Sequence, residues 1–297
     1  MKGRFWERVN EKGLLFCAFL AVVAIALIGT FVFKEGLPLL AKVGLWEFIG
    51  SRDWAPLQGH FGIYAMIVGS FAVTLGALVL GVPLGLATAI FMAEFAPSPV
   101  VRVVRPAVEL LAGIPSVIYG LFGMTLIVPV VRTLAGGPLG AGLDPQLRTG
   151  FSIIAASIVL AIMILPTVMS ISEDSLRAVP AEYREGSLAL GATHWQTVIR
   201  VLLPAARSGI IAGVVLGMGR AIGETMAVIM VAGNTPAVPH SLFAPVRTLT
   251  GNIAIEMNYA AGDHTRALFA TGIILFALIM VLNMLVVYVT RRGVRQA

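Results

Sequence analysis

Six long apolar segments, separated by polar stretches, run along the chain. They cover residues 14–33, 61–95, 106–131, 150–171, 208–232 and 265–290. About 20 apolar residues in a helix suffice to cross a bilayer, so each segment predicts one transmembrane helix. The third segment contains Gly113, Pro115, Gly120 and Gly123, and such breakers predict a bent or interrupted helix. The pattern as a whole predicts an all-α integral membrane protein with six transmembrane helices.

The polar stretch between the fourth and fifth spans, residues 173–207, is called the handle below. It predicts a helical hairpin, in which Gly191 ends the first helix. Thr193 followed by Gln196 forms a capping box that starts a second short helix, and Pro204 is expected to close it. From these residues alone, the handle is either a docking element for a partner or an amphipathic loop on the membrane surface.

The handle carries a set of residues at fixed separations that resembles a known signature. The set comprises Glu185, Gly186, Ser187, Gly191, Val201, Leu202, Leu203 and Pro204. It resembles the EAA signature of permease subunits of bacterial ABC importers, with Gly186 and Ser187 in place of two alanines and Val201 in place of isoleucine. In that family this loop docks into a cleft of a separate ATPase subunit. The resemblance therefore implies an ATPase-coupling role for Glu185, Gly186, Ser187, Gly191, Leu203 and Pro204.

Two further stretches resemble one particular group of these permeases. GRAIGETMAVIMVAGN, residues 219–234, and PAVELLAGIPSVIYGLFGM, residues 106–124, resemble the permeases of the phosphate-specific importer, the paired PstC and PstA subunits. The ETMAV run is more similar to PstC. The resemblance implies a type I ABC importer permease architecture, with a core over residues 61–292. Residues 1–60 would then hold the N-terminal tail, the first span and an outer segment.

The fifth span carries two charged residues, Arg220 and Glu224. Charges inside a membrane nearly always face protein or a cavity. On a continuous helix both would share one face with Gly209, Gly213 and Gly217, which predicts an interface with a second permease and a hydrophilic path beside it. The alternative is a buried ion pair that only fixes helix register. Given the resemblance, we favour the substrate pathway, because a guanidinium suits phosphate oxygens.

Glu109 is a further acid, three residues after Pro106. It either pairs with Arg220 across the bundle or lies near the cytoplasmic end of its span, where a helix N-terminus tolerates a carboxylate. We favour the second position.

Composition supports a membrane protein. Of 297 residues, 58% are hydrophobic and 12% charged, and the mean hydropathy is +0.93, which excludes an ordinary soluble domain. The single cysteine, Cys17, permits no internal disulfide. The net charge is +6, but the basic residues are scattered and mostly flank apolar runs. We therefore expect them to lie at the surfaces of a lipid bilayer, and we do not expect nucleic acid as a partner.

The basic residues also predict orientation. With both termini inside, the N-terminus, a basic turn at 96–107, the handle and the C-terminal tail hold 4, 2, 4 and 3 lysines or arginines. The outer segments, 34–60, 132–149 and 233–264, together with the start of the sixth span, hold 7. The excess on one side places both termini and the handle in the cytoplasm of a bacterium, with the chain in the inner membrane.

No enzymatic site is expected. The chain lacks Walker A, HExxH, CxxC and GxSxG motifs, so ATP hydrolysis must come from elsewhere, and no cofactor or metal is expected. The resemblance implies a channel-forming subunit of an ATP-driven phosphate importer. Its partners would be a homologous PstA-like permease, a cytoplasmic PstB-like ATPase dimer and an extracytoplasmic PstS-like phosphate-binding protein.

Three alternatives stay open. The chain could be the PstA-like partner, or a permease for another oxyanion or solute. From a different class, it could be an ATP-independent channel or ion-coupled transporter, in which Arg220 and Glu224 form a gate or proton relay.

Overall fold

The computed structural model describes residues 2–138 and 144–294, and most of these residues are helical. Six segments are long and apolar enough to cross a bilayer, which confirms the predicted number of spans. They are Asn10–Val43, Tyr64–Phe95, Ser116–Gly136, Ile153–Arg177, His194–Gly223 and Asp263–Met284. Part of the predicted outer loop 132–149 and the last residues of the tail lie outside the described residues.

The helices in the described ranges are numbered in chain order. They are α1 (Lys2–Val43), α2 (Leu45–Gly50), α3 (Tyr64–Ile90), α4 (Ser98–Gly113), α5 (Ser116–Phe122), α6 (Val128–Gly136), α7 (Ile153–Arg177), α8 (Ala181–Ala189), α9 (His194–Thr197), α10 (Leu203–Gly223), α11 (Met226–Val231), α12 (Leu249–Glu256) and α13 (Asp263–Val294). Wide helical turns extend α3 through Phe91–Phe95, join α5 to α6 through Gly123–Ile127, and join α9 to α10 through Val198–Leu202. Two short strands, β1 (Trp54–Ala55) and β2 (His60–Phe61), pair antiparallel.

α7 lies at the centre of the bundle, between α3 and α10. On one side, a Cβ built at Gly81 of α3 would lie 2.8 Å from Ile164. On the other side, a Cβ at Gly213 of α10 would lie 3.1 Å from Ile171. Small residues allow helices to approach closely in a membrane, where packing drives helix association. These three helices therefore form a tight core that positions the other spans.

The first and last spans pack against each other. Gly36 of α1 faces the backbone of Ala270 on α13, with a Cβ-to-nitrogen distance of 2.8 Å. Phe31 and Phe269 meet edge to face, with ring centroids 5.4 Å apart. The earlier part of α1 exposes its apolar side chains, such as Phe19, as expected for a helix that faces lipid or another membrane protein.

The outer segments fold together into a second apolar core. Phe48, Ile63, Leu249 and Leu268 are buried in it, so it combines the segment before α3 with α12 and α13. No helix was predicted within the outer segment 233–264, yet it contains α12. The helix forms because Thr248 caps its N-terminus and because its apolar face is buried against α3 and α13.

The connection between the second and third spans is a helix, so the basic turn predicted at 96–107 is wrong. Pro99 lies in the first turn of α4, where a proline is tolerated. The apolar side of α4, which includes Val104, packs against Met92 and Met169. This burial stabilises a helix where the density of prolines and arginines suggested a turn.

The third span is interrupted, as predicted. α4 ends at Gly113, and Ile114 and Pro115 are extended before α5 begins. The membrane crossing itself starts at Ser116 rather than at residue 106, because α4 forms a separate helix before the break.

The fifth span differs from the prediction at both ends. A continuous helix over 208–232 was expected, but the helix starts in the handle at His194 and ends at Gly223. Pro204 does not close a helix. It follows a wide turn at the second position of α10, where the missing N–H costs little. Glu224 and the next residue are not helical, and α11 begins after them.

Candidate functional site

Two helix breaks meet near the middle of the bundle. One separates α4 from α5, and the other separates α10 from α11. A Cβ at Gly120 of α5 would lie 3.1 Å from the Cα of Ala227 on α11, so the segments after the two breaks are in contact. A Cβ at Gly217 would lie 3.0 Å from Val168, near the middle of α7. Arg220, one turn further along α10, is therefore close to mid-membrane depth.

Arg220 is half-buried at this depth. Among the residues that the structure describes, no carboxylate pairs with it and no hydrogen bond involves its side chain. The hydroxyl of Tyr119 is near enough to interact with its charge, and that hydroxyl donates a 2.7 Å hydrogen bond to the carbonyl oxygen of Leu111 across the α4–α5 break. A cation inside a membrane without a counter-charge is costly, and an anion bound beside Arg220 would reduce this cost.

Glu224 lies apart from the helix face on which it was predicted. Its backbone is extended, because α10 ends one residue earlier, and its Oε1 accepts a 3.1 Å hydrogen bond from the backbone N–H of Ala227. Its carbonyl oxygen accepts another, of 2.9 Å, from the hydroxyl of Thr250. The expected helical contact with Arg220 is therefore absent, since Glu224 caps α11 instead.

The glycine face of α10 is also occupied differently from the prediction. Gly209, Gly213 and Gly217 pack against α7 of the same chain, so this face is not open to a second permease. The side of α10 that remains open carries Gly219 and Gly223, where an added Cβ would meet nothing within 4 Å.

The handle folds into the predicted hairpin, which consists of α8, a glycine turn and α9. Gly191 has a φ of +86°, a conformation that glycine adopts without strain. Both hydrogen bonds of the capping box between Thr193 and Gln196 are present. Ser187 is 2.9 Å from the hydroxyl of Thr197, which closes the hairpin.

The residues of the EAA-like set lie along one stretch of this hairpin and the start of α10. Glu185 and Gly186 are exposed on α8, while Leu203 and Pro204 begin α10. Leu190, at the tip, is 91% exposed. An exposed apolar side chain at the tip of a rigid hairpin is suited to insertion into a partner's cleft.

Two clusters of ion pairs at the handle end of the bundle were missed by sequence reasoning. In the first, Glu94 accepts hydrogen bonds from Arg184, at 2.5 and 3.0 Å. In the second, Glu173 is buried and lies 2.9 Å from Arg177 and 3.8 Å from Arg105. The sequence places Glu94 at the end of an apolar run, but this position does not indicate which basic residue pairs with it.

Glu109 belongs to the second cluster. It lies 3.2 Å from Arg105, one turn earlier on α4, and that hydrogen bond is the main reason why the pKa of Arg105 is raised above its ordinary value. Glu109 therefore pairs locally, at the handle end, and the alternative contact with Arg220 is excluded.

A third cluster, at the opposite end of the bundle, surrounds Glu256. Its carboxylate accepts hydrogen bonds from Trp54, Arg247 and His264, at 2.9, 2.5 and 2.7 Å. No sequence motif indicated this cluster, because Trp54 and Glu256 are 202 residues apart. In the described part of the chain, no group of three or more metal-ligating side chains is found.

Comparisons with known proteins give consistent matches. The model of the family "binding-protein-dependent transport system inner membrane component" matches residues 81–296. The probable ABC transporter permease protein YqgH of Bacillus subtilis is 40% identical over 282 residues, covering 93% of this chain and 88% of that protein. The phosphate transport system permease protein PstC of Mesorhizobium japonicum is 37% identical over 302 residues, covering 96% and 92%.

Solved structures with a similar fold are also ABC transporters. A chain of a bacterial alginate ABC transporter, in complex with an alginate-bound periplasmic protein, aligns with a TM-score of 0.62 at 18% identity, covering 97% of this chain and 98% of that one. A chain of the inward-facing MetNI methionine ABC transporter aligns with a TM-score of 0.56 at 20% identity, covering 78% and 94%. At these identities the alignments support the fold alone.

Proposed function

Because the chain belongs to the family of binding-protein-dependent transport system inner membrane components, we propose that it is the PstC-like, channel-forming subunit of an ATP-driven phosphate importer. It is a multi-pass protein of the inner membrane with the fold of ABC importer permeases. The proposal of phosphate rests on relatives named as PstC permeases, which are 36–38% identical to it over most of its length.

The structural observation that carries the proposal is the unpaired, half-buried Arg220 beside two helix breaks. Irregular backbone at membrane depth is tolerated where it faces protein or a water-filled cavity, and a guanidinium offers a fork of donors to phosphate oxygens. The open side of α10, at Gly219 and Gly223, leaves room for a pathway or for a second permease. Glu224 would act beside this site, by holding the start of α11 in place.

The mechanism would be alternating access. The subunit assembles with permease, ATPase and binding-protein partners of the ABC type, which we propose are PstA-like, PstB-like and PstS-like. The ATPase docks on the hairpin, through Glu185, Gly186, Ser187 and Gly191, and on the start of α10, through Leu203 and Pro204. It hydrolyses ATP in place of this chain. Both termini and the handle are then cytoplasmic. Since a ligand shifts an equilibrium only through differential affinity, Arg220 binds phosphate more tightly in one state than in the other.

The proposed organisation keeps residues 61–292 as the permease core. Residues 1–60 contribute the first span and part of the outer face, where the binding protein is expected to deliver phosphate.

The test is uptake of radiolabelled phosphate into proteoliposomes that hold this chain with its permease, ATPase and binding-protein partners. Arg220→Gln is compared with wild type, and Arg266→Gln, at a half-exposed ion pair on α13, is the matched control. Loss of one hydrogen bond to a charged group is worth about 1.5–3 kcal/mol, so we expect uptake by Arg220→Gln to fall about 10- to 150-fold. ATPase activity of the assembled complex should persist.

Two results would contradict the proposal in different ways. Normal uptake by Arg220→Gln would make Arg220 a structural residue and remove it from the pathway. Uptake by wild type without ATP would contradict the importer function itself and favour a channel or an ion-coupled transporter. Competition by unlabelled sulfate, at the same concentration as unlabelled phosphate, tests whether another oxyanion is the substrate.

A further inference from the structure

The carboxylate of Glu94 lies buried between α3 and the hairpin. It belongs to the wide turn that ends the second span, and its side chain is only 3% exposed. The guanidinium of Arg184, on α8, donates two hydrogen bonds to it, from Nε at 3.0 Å and from Nη2 at 2.5 Å. The ring nitrogen Nε2 of His194, at the start of α9, is 3.6 Å from Oε2 of the same carboxylate. One buried acid thus contacts both arms of the hairpin.

Aromatic contacts reinforce this connection. The ring of Phe95, next to Glu94, meets the ring of His194 edge to face at 4.9 Å, and that of Trp195 at 6.1 Å. The hydrogen bond to Glu94 is also the main reason why the pKa of Arg184 is raised above its ordinary value. The contact is bidentate and its carboxylate is shielded from water, the geometry in which an arginine and a carboxylate interact most strongly.

The position of Glu94 matters because α3 has no direct chain connection to the hairpin. α7 precedes the hairpin and α10 follows it, so both are joined to it covalently, whereas α3 is not. In the described part of the chain, every ion pair between the hairpin helices α8 and α9 and the rest of the protein involves Glu94. Apolar packing adds to the contact, since Val198 and Leu202 are buried in a cluster that includes Ile90 of α3.

We propose that Glu94 is a positioning residue that locks the hairpin onto α3, so that displacement of the hairpin carries the second span with it. This inference rests on the proposed role of the hairpin as the ATPase-docking element. Because α3 packs along the central helix α7 through Gly81 and Gly85, a hairpin held to α3 and α7 together moves the core as one body. We call the contact of Glu94 with Arg184 and His194 the clamp. Without the clamp, the hairpin can move while α3 keeps its position, and ATP hydrolysis is then uncoupled from transport.

Two variants break the clamp from opposite sides. Glu94→Gln removes the charge, and Arg184→Gln removes the donor fork from the more exposed partner. The double variant Glu94→Gln/Arg184→Gln restores a neutral, hydrogen-bonded pair. Glu109→Gln is the matched control, because Glu109 also pairs with an arginine at this end of the bundle but, among the described residues, forms no ion pair or hydrogen bond with the hairpin.

The first measurement does not depend on transport. Spin labels are placed on Val79, exposed on α3, and on Leu190, at the hairpin tip, in a Cys17→Ser background that removes the single native cysteine. Pulsed electron paramagnetic resonance on the purified chain in detergent then gives the distribution of distances between the labels. We expect a narrow distribution in wild type and Glu109→Gln, and a clearly broader one in Glu94→Gln and Arg184→Gln.

The second measurement is the ratio of ATP hydrolysed to phosphate transported by the assembled complex in proteoliposomes. Loss of a charge-assisted hydrogen bond should raise this ratio about tenfold in either single variant, and the double variant should recover part of the loss. The ratio should not change in Glu109→Gln.

Each outcome decides a separate point. An unchanged distance distribution in both single variants overturns the clamp, whatever transport does. A broader distribution with an unchanged ratio overturns the coupling role and leaves Glu94 as a local structural contact. If wild type shows no ATP-dependent uptake, the proposed function fails, while the distance measurement still decides whether Glu94 holds the hairpin on α3.

Discussion

The buried carboxylate of Glu256 should be the most sensitive point at the end of the bundle opposite the hairpin. Trp54, Arg247 and His264 all donate to it, so it joins the strand before α3, the loop before α12 and the start of α13. Its side chain is 7% exposed and that of Arg247 is 14% exposed. We predict that Arg247→Gln destabilises the protein strongly, because it removes the arginine that pairs with this buried acid.

The size of the effect follows from the contacts. Removal of one partner of a buried ion pair costs about 3–5 kcal/mol. The low end, about 3 kcal/mol, is expected here, because Trp54 and His264 still donate to the carboxylate. Arg247 also donates to the carbonyl oxygen of Asn234 at 2.9 Å and to Oδ1 of Asn252 at 3.1 Å, and these bonds are lost as well.

The assay is equilibrium unfolding of the purified chain by sodium dodecyl sulfate in mixed micelles, followed by circular dichroism. Arg266→Gln is the control, since its ion pair with Asp263 is exposed and exposed pairs contribute little to stability. The double variant Arg247→Gln/Glu256→Gln should recover most of the loss, because no uncompensated charge remains. If Arg247→Gln were no more destabilising than Arg266→Gln, the network would not hold the outer segments together.

Further predictions concern backbone positions. Gly69→Ala should cost about 1–3 kcal/mol in the same unfolding assay, because its Cβ would lie 2.6 Å from the carbonyl oxygen of Arg247. Gly219→Ala meets nothing within 4 Å and should stay within about 0.5 kcal/mol of wild type; equal losses at both glycines would contradict the packing described. In the hairpin, Gly191→Ala should cost about 1–2 kcal/mol through its left-handed φ despite the open space around it, and Thr193→Ala about 1 kcal/mol through the lost cap. Both should raise amide hydrogen exchange in α8 and α9, and unchanged protection would refute these assignments.

Features that depend on nearby residues could be predicted well. The six spans follow from the length of the apolar segments, since a helix that crosses a bilayer needs about 20 predominantly apolar residues to match its thickness. The hairpin turn at Gly191 and the capping box at Thr193 involve residues at most three positions apart. The EAA-like set is recognisable for the same reason, because its residues occupy fixed separations within one stretch of the chain.

Helix ends inside the bundle were harder to predict. Glu224 was expected on a continuous helix, yet its side chain caps α11 and its carbonyl oxygen accepts from Thr250 on α12. Conversely, Pro204 was expected to stop a helix that in fact continues through it. At Glu224 a tertiary contact outweighed the local signal, since local propensities are worth at most a few kcal/mol, whereas at Pro204 the preceding wide turn accommodates the proline within the helix.

The sequence by itself determined the membrane class, the number of spans, the hairpin and the family, because these follow from composition and from short, regular spacings. The tertiary structure decided which faces are occupied and which charges are paired. Gly209 packs on α7 rather than on another subunit, and Glu94 meets Arg184 from 90 residues away. Such pairings depend on how whole helices pack, and the hydrophobic pattern that drives insertion into the membrane does not specify which helix lies against which.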